Sequence, residues 1–270
     1  MTALQPIRMA PREVWQSIRY LLTDIDDTMT TDGMLTADAY AMLERLNDAG
    51  IAVIPVTGRP AGWCDMIARF WPVSAVVGEN GAFYFRYDHR ARQLTRMFAQ
   101  SPDERAQNRS RLQAIRDEVL RTVPGAAVAS DQAYREADLA IDFCEDVAHL
   151  ADNDIARIVQ IFERAGAIAK VSSIHVNGWF GKHDKRTMTA RLMVQEFGVD
   201  LTGPSAQGAC AFVGDSPNDA PMFACFDNSV GVANIAEMAD RCEALPKWIT
   251  ISASGAGFCE LSRCILDSRA

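Results

Sequence analysis

Nowhere in the chain do about 20 apolar residues follow one another, the length that a membrane-spanning helix needs. Arg8, Arg12 and Arg19 break the N-terminal stretch where a secretory leader would carry an uninterrupted apolar segment. No Cys-x-x-Cys pair occurs, and the seven cysteines make an odd count. Cys64, Cys144, Cys210, Cys225, Cys242, Cys259 and Cys264 therefore read as free or buried thiols of a reducing compartment, not as a disulfide framework. No cysteine sits beside a histidine in a recognisable catalytic motif, and surroundings such as GACAFVG suit core packing. The four histidines, His89, His149, His175 and His183, form no zinc-ligand pattern. Positive charge is also short: 27 Lys and Arg stand against 35 Asp and Glu, a net charge of −8. A phosphate backbone needs a positive stripe, so a nucleic-acid partner is not expected. A phosphorylated small molecule stays possible, because a metal and a few placed cations can invert the field locally. These absences predict a cytoplasmic protein with no membrane partner, either a monomer or a homodimer.

What the chain does have is enough length for two domains or one large one, at 270 residues. Its 49% hydrophobic and 23% charged residues are ordinary for a globular chain. Short apolar runs at 18–23, 51–56 and 73–77 alternate with helical spacing, as at Ala39, Met42, Leu43 and Leu46, where Thr36 is the candidate N-cap and Gly50 the stop. Near-continuous apolar strands between helices predict a parallel sheet covered on both faces. After GENGAF the rhythm changes. A hairpin is followed by a polar helix over 102–123, strands over 126–130 and 137–144, a helix over 150–166, and two strands in AIAKVS and SIHVNGWF. Two successive helix-strand-strand units predict a small α+β domain with an antiparallel sheet. A helix over 185–197, the run ACAFV, a helix after Pro217 and the short strands SVGVA and KWITIS resume the first rhythm, with Met188, Met193 and Met222 as core residues. One domain is thus expected inside the other: a Rossmann-like α/β core over 1–85 and 185–270, with an inserted α+β domain over 86–184.

Asp24, Asp26 and Asp27 crowd three carboxylates into four positions directly behind an apolar run. A bound cation would explain the crowding, whereas a lone Asp-x-Asp more often makes a turn through its own backbone. Loops at the C-terminal ends of parallel strands converge on the ligand crevice of an open α/β sheet. Four polar clusters fall at such ends: TDIDDT, VTGR, the segment with Lys185, and VGDSPND. Phosphoryl transfer from a monoester needs a nucleophile, a proton donor for the leaving oxygen and positive charge on the equatorial oxygens, and these clusters contain each part. For Lys185 the alternative is a solvated lysine at a helix start with Asp184 as cap; for TGRP it is a plain loop entering a helix with Pro60 in its first turn.

The order Asp24-x-Asp26-x-Thr28, Thr57-Gly58-Arg59, Lys185 and Gly214-Asp215-Ser216-Pro217-Asn218-Asp219 resembles the haloacid dehalogenase superfamily of phosphohydrolases. The inserted domain between the second and third motifs, preceded by ENGA, resembles the class IIB, or Cof-type, capped branch. This resemblance implies that Asp24 attacks phosphorus and that Asp26 acts as general acid and then base. On a strand end, positions i and i+2 project to the same side, so both can reach one phosphate. It implies Mg²⁺ on Asp24, the Asp26 backbone carbonyl, Asp215 and Asp219, all oxygen donors of the kind this ion prefers. The need is electrostatic: two like charges 4 Å apart at an effective dielectric of 20 repel by about 4 kcal/mol. Thr57 and Gly58 would hold phosphate oxygens, Asn218 would add a hydrogen bond, and Lys185 would neutralise charge, with Lys182 as the fallback lysine. Arg59 would reach the leaving group or pair with an acid. Asp27 stands where this branch most often has glycine, and the added carboxylate could bind metal, cap the turn or face solvent.

His175, Asn177 and Trp179 share one strand face. If that face meets the crevice, it offers two hydrogen-bonding groups and an aromatic platform suited to a sugar; otherwise it is a half-buried strand with a core tryptophan. The segment GWFGKHDKRTM, with Lys182, resembles that of glycosyl-phosphoglycerate and sucrose-phosphate phosphatases, which points toward a phosphorylated sugar or glycoside as substrate. A phosphomutase returning the phosphoryl group to substrate, and a phosphosugar-binding regulator without turnover, are the alternatives. Receiver domains also cluster Asp, Thr and Lys, but need neither Asp26 nor GDSPND.

Overall fold

The computed structural model describes residues 4–172 and 174–269. A six-stranded parallel sheet lies at its centre, in the order Gln5–Pro6, Trp248–Ile249, Ser229–Gly231, Cys210–Gly214, Tyr20–Thr23, Ala52–Pro55. These strands are apolar on both sides because helices cover both faces. On one face, Leu21, Val53, Ala211 and Val213 pack with Leu43 and Leu46 of the helix Ala37–Asp48 and with Phe258, Leu261 and Ile265. On the other, Leu22, Ile54, Cys210 and Phe212 pack with Met188, Leu192 and Met193 of the helix Lys185–Phe197 and with Met222. The three methionines expected in the core are there. Thr36 caps its helix as predicted, accepting from the Ala39 N–H.

The strand Tyr20–Thr23 has Ala52–Pro55 on one side and Cys210–Gly214 on the other. Chain connections run off in both directions from it, which makes its C-terminal end a switch point where two loops splay apart and leave a crevice. Register then decides which residues meet there. Thr23 pairs with both Val213 and Pro55, and the Asp24 N–H donates to the Val213 carbonyl. Asp24, Thr57 and Asp215 leave the sheet side by side as a result.

A second sheet is antiparallel, in the order Ala127–Val128, Leu139–Asp142, His175–Trp179, Ile168–Val171. Its strands alternate. Leu139, Ile141 and Val176 face the helices Pro102–Thr122 and Asp152–Arg164, where Leu112, Ile115, Val119, Ile158 and Phe162 complete a core. Asp142 pairs with His175, and Ala140 with Asn177, on the opposite face. The helix-strand-strand duplication read from sequence is present. A hairpin of Phe83–Asp88 and Gln93–Phe98 pairs with Val76–Gly78 and lies between the two sheets in chain order.

Several element boundaries differ from the sequence reading. The strand expected over 126–130 is only Ala127–Val128, because its last residues turn into Gln132–Tyr134. The helix after Pro217 is one 3₁₀ turn followed by Ala220–Phe223. The helices Pro204–Ala209 and Ser254–Asp267 were not foreseen, the latter hidden because SASGAG at its start reads as loop chemistry.

Candidate active site

Asp24 is buried at the strand end, and the Ile25 N–H donates to its Oδ1 at 2.9 Å. Lys185 opens its helix at the first turn, behind an Asp184 cap that accepts from Thr187 N–H. Its Nζ lies 2.8 Å from Asp219 Oδ1 and 3.2 Å from Asp24 Oδ2, itself buried. Gly81 permits this placement. Its φ is +99°, and a Cβ there would stand 2.0 Å from the Asp184 carbonyl oxygen, so only glycine lets the ENGA turn reach the start of that helix.

Asp215 follows its strand, with Oδ1 accepting from Thr28 Oγ1 at 3.1 Å and Oδ2 from Asn234 Nδ2 at 3.4 Å. Asp219 folds back so that its Oδ2 accepts from the Asp215 N–H at 3.1 Å. A Cβ on Gly214 would sit 2.4 Å from that same oxygen, which explains glycine in VGDSPND. Carboxylate oxygens of Asp24, Asp215 and Asp219 all lie within 4.8 Å of one another.

Burial pushes the Asp24 carboxyl up to about 7, with Asp219 and Asp26 adding repulsion against the pull of Lys185. Burial, and then Asp219 and Asp24, push Asp215 well above the usual carboxylate range. Burial works against the Lys185 ammonium, but Asp219 and Asp24 outweigh it and raise that group. Three buried acids therefore stand beside one ammonium, which pairs with Asp24 and Asp219. All-oxygen donors that repel one another at this spacing fit a hard divalent cation such as Mg²⁺.

Asp26 is gripped by Arg59, whose Nε lies 3.0 and 3.1 Å from its two oxygens and whose second terminal nitrogen lies 2.9 Å from Oδ1. The guanidinium stacks 4.4 Å from the Trp63 ring. Thr57 is buried, its Oγ1 accepting from the Arg59 N–H at 3.0 Å. Asp27 occupies a left-handed turn position, φ 54°, which aspartate tolerates better than most residues. Its N–H donates to Thr30 Oγ1, and its carbonyl accepts from Asn234.

Facing these groups is the antiparallel sheet. Between the two lies a cavity of about 30 Å³. Asp24, Asp26, Gly58, Arg59, Asp215 and Asn218 form its core wall, and Arg135, Ser172, His175 and Asn177 the opposite wall.

No protein-family model matches the sequence, and no curated protein matches it. Solved structures match in fold. A Thermoplasma acidophilum protein, 0175, has a TM-score of 0.69 at 16% identity, covering 92% of this chain and 98% of its own. A haloacid dehalogenase-like hydrolase from Bacteroides thetaiotaomicron has a TM-score of 0.62 at 14% identity, covering 92% and 99%. The sucrose-phosphatase of Synechocystis sp. PCC6803, solved with sucrose and phosphate, has a TM-score of 0.62 at 15% identity, covering 93% and 98%. The chain has the capped haloacid dehalogenase fold.

Within that fold, the structure separates the residues singled out on the cap. His175 and Asn177 line the cavity, whereas Trp179 does not. Its indole N–H donates to the His183 carbonyl at 3.1 Å and its ring stacks on His183, because the strand has already run past the crevice at that position. Lys182 is exposed beside Gln100 and Arg191, on a different surface depression. Neither gives the sugar platform or the fallback lysine that the sequence suggested.

Other residues around the cavity were missed. Arg135 on the cap has a buried side chain that donates to the Gly58 carbonyl at 3.0 Å and pairs with Asp131 and Asp138 at 3.0 and 3.1 Å. Glu145 reaches Arg59 at 3.1 Å and His175 Nε2 at 2.9 Å. Glu79 of ENGA accepts from the N–H groups of Ala61, Glu136, Ala137 and Asp138, tying core to cap. One signal was available: in ADLAIDF, period two puts Asp138, Ala140 and Asp142 on one face.

Burial, with Asp138 adding, pushes Glu79 up to about 8 despite Arg135 and its N–H donors. An acid raised in the folded state stabilises fully below its ordinary value near 4.5, and that contribution is lost as pH rises through about 8. Glu79→Gln is therefore expected to flatten the fall in melting temperature between pH 5 and 9. An unchanged slope would mean that the loss arises elsewhere.

Proposed function

We propose that this chain is a divalent-metal-dependent phosphomonoesterase that hydrolyses a phosphorylated sugar or glycoside through an aspartyl-phosphate on Asp24. The observation that carries the proposal is the buried cluster Asp24, Asp215 and Asp219, with Lys185 paired to Asp24 and Asp219, and with Asp24 and Asp215 lining the cavity between core and cap. Asp24, the Asp26 carbonyl, Asp215 and Asp219 would hold Mg²⁺, which when bound offsets the negative charge between carboxylate and phosphate.

The remaining steps belong to the chain. Lys185 holds Asp24 and Asp219 in place and adds positive charge beside the nucleophile. Thr57 and the Gly58 amide hold phosphate oxygens, helped by Asn218. Asp24 attacks phosphorus as the ester P–O bond breaks, and Asp26 hands its proton to the leaving oxygen. Asp26 then takes a proton from water, whose oxygen attacks the aspartyl-phosphate and frees Asp24. Both Asp26 oxygens contact Arg59 here, so one has to be released before the acid can reach the leaving group. An incoming phosphate that draws on Arg59 supplies that release.

The cavity, about 30 Å³, is small for a sugar phosphate, and movement of the cap on substrate entry is part of the proposal. The division into a core of 1–85 and 185–270 and a cap of 86–184 belongs to this proposal, with the hairpin Phe83–Phe98 carrying the chain between them. The test is phosphate release from sugar phosphates and an aryl phosphate, with Mg²⁺ or with EDTA. The expected result is turnover that EDTA abolishes. Isomerised substrate without free phosphate would identify a mutase instead, and binding without either product a regulator.

A further inference from the structure

We infer that the inserted domain carries a second ligand site, away from Asp24, which takes a phosphate dianion, free or carried on a small molecule. A groove of about 280 Å³ runs between the helix Pro102–Thr122 and the segment 132–139. Every residue lining it falls between 105 and 139, so its walls belong to one domain and keep their shape however that domain sits on the core. What happens at Asp24 does not enter the argument.

Positions 105, 109, 112, 113 and 116 form one stripe of the helix, and three of the five are Arg105, Arg109 and Arg116. Guanidiniums do not lose their charge in proteins. Like charges at i and i+4 on a helix surface repel, and Arg105 and Arg109 stand in that relation. The positions three and four away from Arg109 hold Arg105, Ala106, Leu112 and Gln113, with no acid among them. In a chain of net charge −8 this is the reverse of the aspartate crowding at the strand end, and an anion in the groove relieves it.

The groove is built, not merely charged. Arg105 lies with its guanidinium 3.8 Å over the Phe98 ring, donates to the Gln100 carbonyl at 3.0 Å, and leaves only 13% of its side chain exposed. Its buried Nε has no hydrogen-bond partner, the Glu136 carboxylate standing 4.0 Å away. Arg109 is exposed and makes no hydrogen bond or ion pair among the described residues. Arg116 spends Nε and one terminal nitrogen on Asp117, at 2.9 and 2.7 Å, and keeps the other. The opposite wall is braced by the Gln132 side chain, which donates to the Asp138 carbonyl and accepts from the Ala140 N–H, each at 2.9 Å. Asp138 belongs to that wall, but its buried carboxylate is taken by Arg135 and Asn177. Glu136 is then the one carboxylate among the lining residues left to face three guanidiniums. Two forks one helical turn apart suit the several oxygens of a phosphate, and its two charges match Arg105 and Arg109.

The test is a titration of the whole protein with inorganic phosphate, glucose 6-phosphate or glucose at constant ionic strength. EDTA is present, so that the metal-free acids around Asp24 repel the anion from the core. Arginine Nε–H signals are followed by NMR, with those of Arg105 and Arg109 assigned from Arg105→Lys and Arg109→Gln. Both should move with phosphate and saturate, while Arg164, paired with Glu118 on the surface, should not. In Arg109→Gln the Arg105 signal should need about tenfold more phosphate or higher to saturate, because a charge-assisted contact is gone. That variant should melt no lower than the parent without phosphate, having lost a like-charge pair, and should gain less from added phosphate. Tighter binding of glucose 6-phosphate than of inorganic phosphate assigns the site to a carried phosphate, and equal or weaker binding assigns it to the free anion. An Arg105 curve unchanged in Arg109→Gln, equal response to glucose, or shifts that drift without saturation in step with Arg164 would overturn the site, whatever the reaction at Asp24.

Discussion

Asp24→Asn is expected to lower phosphate release by about 10⁴-fold or more while leaving the chain folded. The amide oxygen can still accept from the Ile25 N–H, so the strand end keeps its local hydrogen bond. What is lost is the negative oxygen that attacks phosphorus in the proposed mechanism. The substitution also has a stability consequence of known sign. Burial has raised Asp24 to about 7, so its ionisation costs the metal-free protein stability as pH rises from the ordinary carboxylate range through about 7. Asparagine removes that cost. With EDTA present, the variant should melt no lower than the parent at pH 8, and its advantage should vanish at pH 4. Retained turnover would exclude Asp24 as the nucleophile.

Replacing Lys185 by Met should damage both activity and stability, and stability more than Asp24→Asn does. The ammonium is buried between Asp219 and Asp24, and its removal leaves three buried acids facing one another. Breaking a buried pair by deleting one partner costs about 3–5 kcal/mol. Activity should fall by about 10³-fold, because the charge beside the proposed nucleophile goes with it. Lys185→Arg should not restore activity, since a planar fork cannot put one nitrogen at 2.8 and 3.2 Å from two separate carboxylates in a closed space. Urea unfolding with EDTA and with Mg²⁺ separates the effects: the cation should recover part of the stability and little of the rate. A variant as stable as the parent in EDTA would show that Lys185 does not hold the acids together.

Both predictions concern residues that could be picked out before any coordinates. Asp24, Asp215 and Asp219 announce themselves because acids directly behind apolar runs are chemically odd, and Lys185 because it opens a helix right after the inserted segment. Thr36 and the periodic helices were legible for the same reason, since capping and periodicity are local. Arg135, Glu79 and Glu145 were not. Each has a partner far along the chain: Glu79 is 57 to 59 residues from the cap N–H groups it accepts from, Glu145 is 86 residues from Arg59, and Arg135, whose acids Asp131 and Asp138 are local, is 77 residues from the Gly58 carbonyl. Nothing local marks such a residue as part of a site. Trp179 shows the converse error. Period two correctly placed it on the face of His175 and Asn177, but a shared face does not say where along the strand the crevice ends.

By itself, the sequence determined the alternation of buried strands and helices, the insertion of a second sheet, and the cluster of oxygen donors at one strand end. Those follow from short-range rules, because hydrophobic period, caps and turns act within a few residues. Tertiary structure decided the rest. Strand register set Asp24 beside Asp215, the closeness of Gly81 to Asp184 brought Lys185 in, and the docking of cap on core put Glu145 and Arg135 around Arg59. These are long-range contacts whose partners are chosen by packing.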